Sequence, residues 1–305
     1  MRMKTILNVN EHHHTSFECA EASFYKFCTL KNLREQTLTY YKEDITYFKS
    51  HIAITNIDEL TQEIYDDFIY GEIEKGKKTT SLNTRIRGLR VFFNFCVERE
   101  YMEPINAKLL KTDKEIKEPY TDAELKKLLR RPTSNKWVEW RSWAIVNYLV
   151  ATGNRIGTVA DTKISDINFD EDTILMRTVK NRKQQILPLS PALKTVLLEY
   201  LDTWAWDATD FLFPTFEKKK LQKRTLQGTI AKYNVSRGVS KTSCHLFRHT
   251  FAKNFILAGG GLVQLQALLG HSTMDMSRHY VEIYGLDLRR DFEKLNPLDN
   301  FMKAQ

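Results

Sequence analysis

Cysteine is scarce in this 305-residue chain: Cys19, Cys28, Cys96 and Cys244 are widely spaced and form no CxxC pair. That spacing excludes a CxxC redox or zinc motif and fits buried or neutral thiols in a reducing compartment. No apolar run approaches the length of a membrane span, and the N-terminus lacks a signal-peptide core, so a cytoplasmic protein without a membrane partner is expected. His12, His13 and His14 have no accompanying carboxylate or thiol pattern, and read as part of a flexible leader over 1–14 rather than as a metal site. There is neither a P-loop nor a carboxylate cluster.

What is present is a soluble, globular composition, 42% hydrophobic and 28% charged, in a chain long enough for two domains. Lys plus Arg number 46 against 38 Asp plus Glu, a net charge of +8 that favours polyanionic partners. Four amphipathic helices are read over 15–102. The first opens at a capping box, Thr15-Ser16-Phe17-Glu18, and the second runs from about Glu35 with Leu38, Tyr41, Ile45, Phe48 and Ile52 at helical steps. Leu60, Ile64 and Phe68 mark the third, Leu82, Ile86, Leu89, Phe93 and Val97 the fourth. Before and along that fourth helix lie Lys77, Lys78, Thr80, Ser81, Thr84, Arg87 and Arg90. Hydroxyls and cations at a helix start suit phosphate oxygens, so these are candidate contacts to a phosphate-bearing partner such as nucleic acid, alongside the alternative of a solvated charged face.

Periodicity fails over 103–118, where Glu103-Pro104 and spaced lysines read as an interdomain linker. A second domain then begins at the capping box Thr121-Asp122-Ala123-Glu124. A buried helix runs up to Thr152-Gly153, with Arg155 just beyond the break. A β-hairpin follows, one strand over Thr173 to Thr178 and the other from Gln185 to Leu189, with Lys180 near its tip. The basic loop from Glu217 to Arg224, including Lys219 and Lys223, reads as a solvated loop or a phosphate-backbone contact.

The most informative stretch runs from Cys244 to Tyr284. His245 and Arg248 are three residues apart, on one helix face. Gly259, Gly260 and Gly261 break the chain before an apolar run that ends at Gly270-His271, and Tyr280 follows nine residues after His271. Two histidines, an arginine and a tyrosine in so short a span can build a metal-free site for phosphate chemistry.

Taken with Arg155 and Lys180, this order resembles the tyrosine recombinases, the phage integrase family. Thr152-Gly153-Asn154-Arg155 looks like the family's TGxR segment, and Ser165-Asp166-Ile167 resembles the stretch that follows it. His245-Leu246-Phe247-Arg248-His249-Thr250-Phe251-Ala252 matches its HxLRHTFA box, and Leu268-Leu269-Gly270-His271-Ser272 its LGHS box. Lys180 falls on its hairpin lysine, and Tyr280 stands at the nucleophile's distance, a better fit than Tyr284. Thr158 replaces a frequent glutamate and bears on the bracing of Arg155; Glu103-Pro104 replaces Asn-Pro before the linker. The resemblance implies a mainly α protein: a four-helix SAM-like core-binding domain over 15–102, and a mixed α/β catalytic domain over 119–284, mostly helical with a small antiparallel sheet. It implies double-stranded DNA as substrate, a 3′-phosphotyrosine intermediate and no cofactor. Arg155 and Arg248 would bind the phosphoryl oxygens, His245 act as base, Lys180 as acid, and His271 hydrogen-bond the phosphate, with Tyr280 as nucleophile.

The apolar residues of the tail over 285–305 would dock on a neighbouring subunit of a DNA-bound homo-tetramer or pack in cis, and accessory DNA-bending or directionality proteins are further expected partners. The short sequence before Thr15 suggests a simple Xer-like or transposon-type recombinase without an arm-binding domain. The rival readings are type IB topoisomerase activity and a catalytically silent DNA-binding regulator; the complete set of six residues opposes the second.

Overall fold

Ser16 starts the first helix, α1 (Phe17–Leu30), its hydroxyl accepting from the Cys19 amide at 3.2 Å. The cap is therefore one residue later than the capping box expected at Thr15, and Glu18 pairs with Lys49 instead. The computed structural model describes residues 15–112, 118–177 and 184–270. The chain divides into two compact units, with the boundary between Glu115 and Ile116.

In the first unit α2 (Glu35–Lys49), α3 (Gln62–Glu74) and α4 (Thr79–Glu98) join α1. Along α4, Leu82, Ile86, Leu89, Phe93 and Cys96 recur at three- and four-residue steps and all are buried, which makes this helix the spine of the core. Phe92 meets Phe24 edge-on at 5.3 Å, and Phe93 meets Phe48 at 5.5 Å, the offset geometry that aromatic rings prefer.

The beginning of the expected linker is not loose. Arg90 donates from Nε to the Ala107 carbonyl at 2.9 Å, and the Gln62 side chain accepts from the Asn106 amide at 2.8 Å. Asn83 exchanges two hydrogen bonds with the backbone of Leu110. Met102 and Ala107 are buried with the first unit's core. Hydrogen bonds from side chains to backbone replace the helical periodicity that the segment lacks.

The second unit opens at α5 (Asp122–Leu128), where Thr121 and Glu124 form the reciprocal capping box read from the sequence. Its centre is α6 (Trp137–Thr152), which has no single apolar stripe: Arg141 to Val146 are all buried, as are Tyr148 and Leu149. A helix buried all round must be surrounded. Its neighbours are α8 (Pro191–Leu201), α9 (Lys223–Ser236) and α10 (Cys244–Leu257). After α7 (Ile156–Asp161) comes an antiparallel sheet in the order β1 (Ile167–Asn168), β2 (Thr173–Met176), β3 (Gln185–Pro188). The register pairs Ile174 with Leu187 and Met176 with Gln185. Ile174, Met176 and Leu187 face the core while Ile186 is exposed, the two-residue alternation of a sheet with one wet face. The last described helix is α11 (Leu262–Leu269). The described residues are mainly helical, with one small antiparallel sheet. None of the described helices is long and apolar enough to cross a membrane.

Candidate active site

The site is built where α6 stops. Gly153 ends that helix in the left-handed region at φ +61°, its amide donating to the Leu149 carbonyl at 2.9 Å. A Cβ there would lie 2.6 Å from Cδ1 of Phe251 and 2.8 Å from Cδ2 of Leu269. Glycine is thus demanded twice, by backbone hand and by the close approach of α10 and α11. Asn154, buried next to it, directs its amide nitrogen to the Met176 sulfur at 3.5 Å. Arg155 follows in extended geometry as the residue that precedes α7, half-buried.

Helix α10 carries two of the other candidates, and one of them, Arg248, meets this junction. His245 is exposed, and its ring meets that of His249 edge-on at 4.7 Å. Arg248 is only 3% exposed. Its Nη1 donates to the Gly153 carbonyl at 3.0 Å and its Nη2 to the Leu269 carbonyl at 2.8 Å. Those oxygens belong to the C-terminal ends of α6 and α11, where helix dipoles concentrate negative charge. A buried guanidinium needs such partners, because an uncompensated charge in the interior is costly. Cys244, one residue before His245, is held as a neutral thiol, its pKa pushed up to about 11 by burial.

At the end of α11, Gly270 takes the left-handed cap at φ +60°. Gln185, the first residue of β3, reaches this end and donates to the Ala267 carbonyl and, at 3.4 Å, to that of Leu268. Neither Gln185 nor Asn154 was singled out from the sequence. The paired ends of β2 and β3 are joined by residues 177–184, which include Lys180. Lys180, His271 and Tyr280 lie outside the described residues, as do Tyr284, the leader and the tail. Arg155, His245 and Arg248 are therefore the three expected catalytic positions with a described environment.

The expected DNA contacts separate into two kinds. Lys77, Lys78, Thr80, Ser81, Thr84 and Arg87 are all exposed before and along the first turns of α4. Thr80, Thr84 and Arg87 follow one another at helical steps on one face. Arg90 is half-buried and bonded to Ala107. Arg85 faces the other way, stacked 3.5 Å over the Tyr47 ring and 3.4 and 3.5 Å from the carboxylates of Asp44 and Glu72. Those inward bonds fix the rotation of α4 and hence which residues it exposes. Burial raises the Asp44 carboxyl while Arg85 opposes the rise. In the second unit Lys219 is exposed and pairs with Glu217 at 2.8 Å, and Lys223 is exposed as the first residue of α9. The loop carrying them is tied down: the Thr215 amide donates to the Lys219 carbonyl at 2.7 Å, Lys218 pairs with Asp210, and Lys220 with Asp161.

Residues 119–285 match the profile of the phage integrase family, and residues 24–100 that of the phage integrase N-terminal SAM-like domain. Tyrosine recombinase XerD of Staphylococcus aureus is 24% identical over 279 residues, which covers 88% of this chain and 94% of that protein. Among solved structures, a lambda integrase dimer bound to a COC' core site has a TM-score of 0.72 at 17% identity, covering 87% of this chain and 95% of that one. The Tn1549 transposon integrase in complex with a circular intermediate DNA has a TM-score of 0.71 at 19% identity, covering 88% and 95%. These structures share the fold.

Proposed function

The chain belongs to the phage integrase family and is a site-specific tyrosine recombinase, an enzyme that breaks and rejoins DNA, and from that premise we propose which residues do the work. The Tyr280 phenol oxygen attacks a backbone phosphorus of double-stranded DNA, and its proton passes to His245. As the new O–P bond forms, the P–O5′ bond breaks and Lys180 gives a proton to the departing oxygen. The products are a 3′-phosphotyrosine and a free 5′-hydroxyl. Arg155 and Arg248 oppose the charge that gathers on the non-bridging oxygens, and His271 hydrogen-bonds the phosphate. A 5′-hydroxyl from a second duplex then attacks the same phosphorus and releases Tyr280. One phosphodiester becomes another through an ester of similar energy, so the exchange needs no separate energy source.

The single observation that carries this reading is the placement of Arg248. Its two carbonyl bonds tie the junction before Arg155 to the helix end before His271, with His245 one turn away on the same helix. A cation fixed before substrate arrives needs little reorganisation as charge develops, which is where such sites derive most of their effect. The exposed residues Lys77, Lys78, Thr80, Ser81, Thr84 and Arg87, with Lys219 and Lys223 of the second unit, contact the phosphate backbone. The lambda integrase is known as a dimer on a core site and as a tetramer on a Holliday junction. By analogy this chain acts as a homo-tetramer across two DNA sites, with its tail docking between subunits.

The test is to select binding sites from a randomised duplex pool, nick them beside each phosphate, and look for a covalent adduct that survives denaturation. The wild-type chain yields the adduct and Tyr280→Phe does not. A binder with no adduct on any selected site would be a silent regulator. Relaxation of supercoiled plasmid without joining of two sites would be topoisomerase activity.

A further inference from the structure

The hairpin of β2 and β3 is anchored at the end that leads into residues 177–184, and by side chains. On β2, Met176 is 1% exposed and its sulfur receives the amide of Asn154, the neighbour of Arg155. On β3, which lies at the sheet edge, Gln185 donates to Ala267 and Leu268, while Arg248 donates to Leu269. The last three carbonyls of α11 therefore all accept side-chain donors from β3 and α10. The helix does not need Gln185 as a cap, because Gly270 already donates its amide to Ala267 at 3.0 Å. The fit is close: Oε1 of Gln185 lies 3.2 Å from where a Cβ on Gly270 would stand. Among the described residues β3 has no strand on its outer side, and this amide joins the start of β3 to the helix end beside it.

We propose that Gln185 is a positioning residue for strand cleavage, fixing the hairpin whose connecting segment contains Lys180 against the end of α11. The proposal rests on the general-acid role assigned to Lys180 above. Without the tether the start of β3 is held, among the described residues, through β2, and proton delivery to the leaving 5′-oxygen slows. Arg155 and Arg248 stand on other elements and continue to hold the phosphate, so DNA affinity is retained.

The experiment uses the full chain as wild type, Gln185→Glu, Gln185→Ala and Lys180→Ala, on a selected nicked site. Glutamate keeps the shape of glutamine but cannot donate from its ionised carboxylate. Single-turnover adduct formation is measured with the ordinary 5′-oxygen and with a bridging 5′-sulfur at the scissile phosphate, since a thiolate departs without a proton. On oxygen, both Gln185 variants should slow by about tenfold or more, the scale of a small misplacement of a reacting group, with DNA affinity within about twofold. On sulfur they should return to near the wild-type rate, as should Lys180→Ala. Slowing that persists on sulfur while Lys180→Ala is restored would overturn the positioning role, and so would the absence of any slowing on oxygen. Failure of sulfur to restore Lys180→Ala would instead overturn the general-acid reading, and the inference with it.

Discussion

Arg248 donates to the carbonyl of Leu269 at 2.8 Å, and this bond, with its twin to Gly153, makes one buried guanidinium the clasp of three chain segments. A side chain that would be expected to reach out for a ligand is also structural. The two roles make different demands, and substitution separates them.

Arg248→Ala should destabilise the second unit by about 2–4 kcal/mol, because two carbonyls in a dry setting lose their donors. Arg248→Lys keeps the charge but not the fork, and should melt closer to wild type. Its adduct formation should still fall by about a hundredfold or more, since one ammonium cannot hold both carbonyls and face a phosphate. Denaturant titration and single-turnover cleavage read the two effects.

Gly153→Ala meets both a left-handed backbone and the side chains of Phe251 and Leu269. Strain of about 1–2 kcal/mol from the backbone and about 1–3 kcal/mol from overpacking should add. A loss of about 2–5 kcal/mol in unfolding free energy is expected. Gly157→Ala, where an added Cβ meets nothing within 4 Å, is the control and should be close to neutral.

The Glu124 carboxyl carries a pH dependence. Burial alone would raise its pKa, but the Thr121 amide and hydroxyl and the Lys241 ammonium at 3.0 Å outweigh it and set the pKa below the ordinary 4.5. A carboxyl lowered in the folded state stabilises above its unfolded pKa, and that contribution is lost as pH falls through the folded value. Glu124→Gln can still cap the helix but cannot pair with Lys241. It should be less stable than wild type by about 0.5–1 kcal/mol at pH 7, and the gap should close as the pH is lowered through the region below 4.5.

Thiol labelling checks the packing of both units. Cys28, Cys96 and Cys244 are buried and Cys19 is exposed. Burial raises the Cys28 thiol and pushes Cys96 up to about 12 and Cys244 up to about 11. Native protein should react with a thiolate-selective disulfide reagent at Cys19 alone, and at all four cysteines in denaturant.

Much of this was legible because it is local. The spacing of Leu82, Ile86, Leu89 and Phe93 gives the buried face of α4, and Thr121 with Glu124 gives a capping box that forms as read. The motif order in the sequence alone points to the family. What could not be read depends on distant segments meeting. Arg248 looked like a ligand group because nothing nearby in sequence reveals that α6 and α11 both end against it. Gln185 looked like an ordinary polar strand residue, since its partners are more than eighty positions away. The loop from Glu217 to Arg224 reads as solvated or as a phosphate contact, and neither reading reveals that Asp210 and Asp161 hold two of its lysines. The bonds of Arg90 and of the start of the linker were not legible for the same reason: they follow no periodicity.

The central claim is that Tyr280 is the nucleophile of a site to which Arg155, His245 and Arg248 contribute. Its most direct test is to digest the covalent protein–DNA adduct with protease and nuclease and locate the nucleotide by mass spectrometry. A 3′-linked nucleotide on the peptide containing Tyr280, absent from Tyr280→Phe, is the expected result. A nucleotide on Tyr284, or an adduct that persists in Tyr280→Phe, would contradict it.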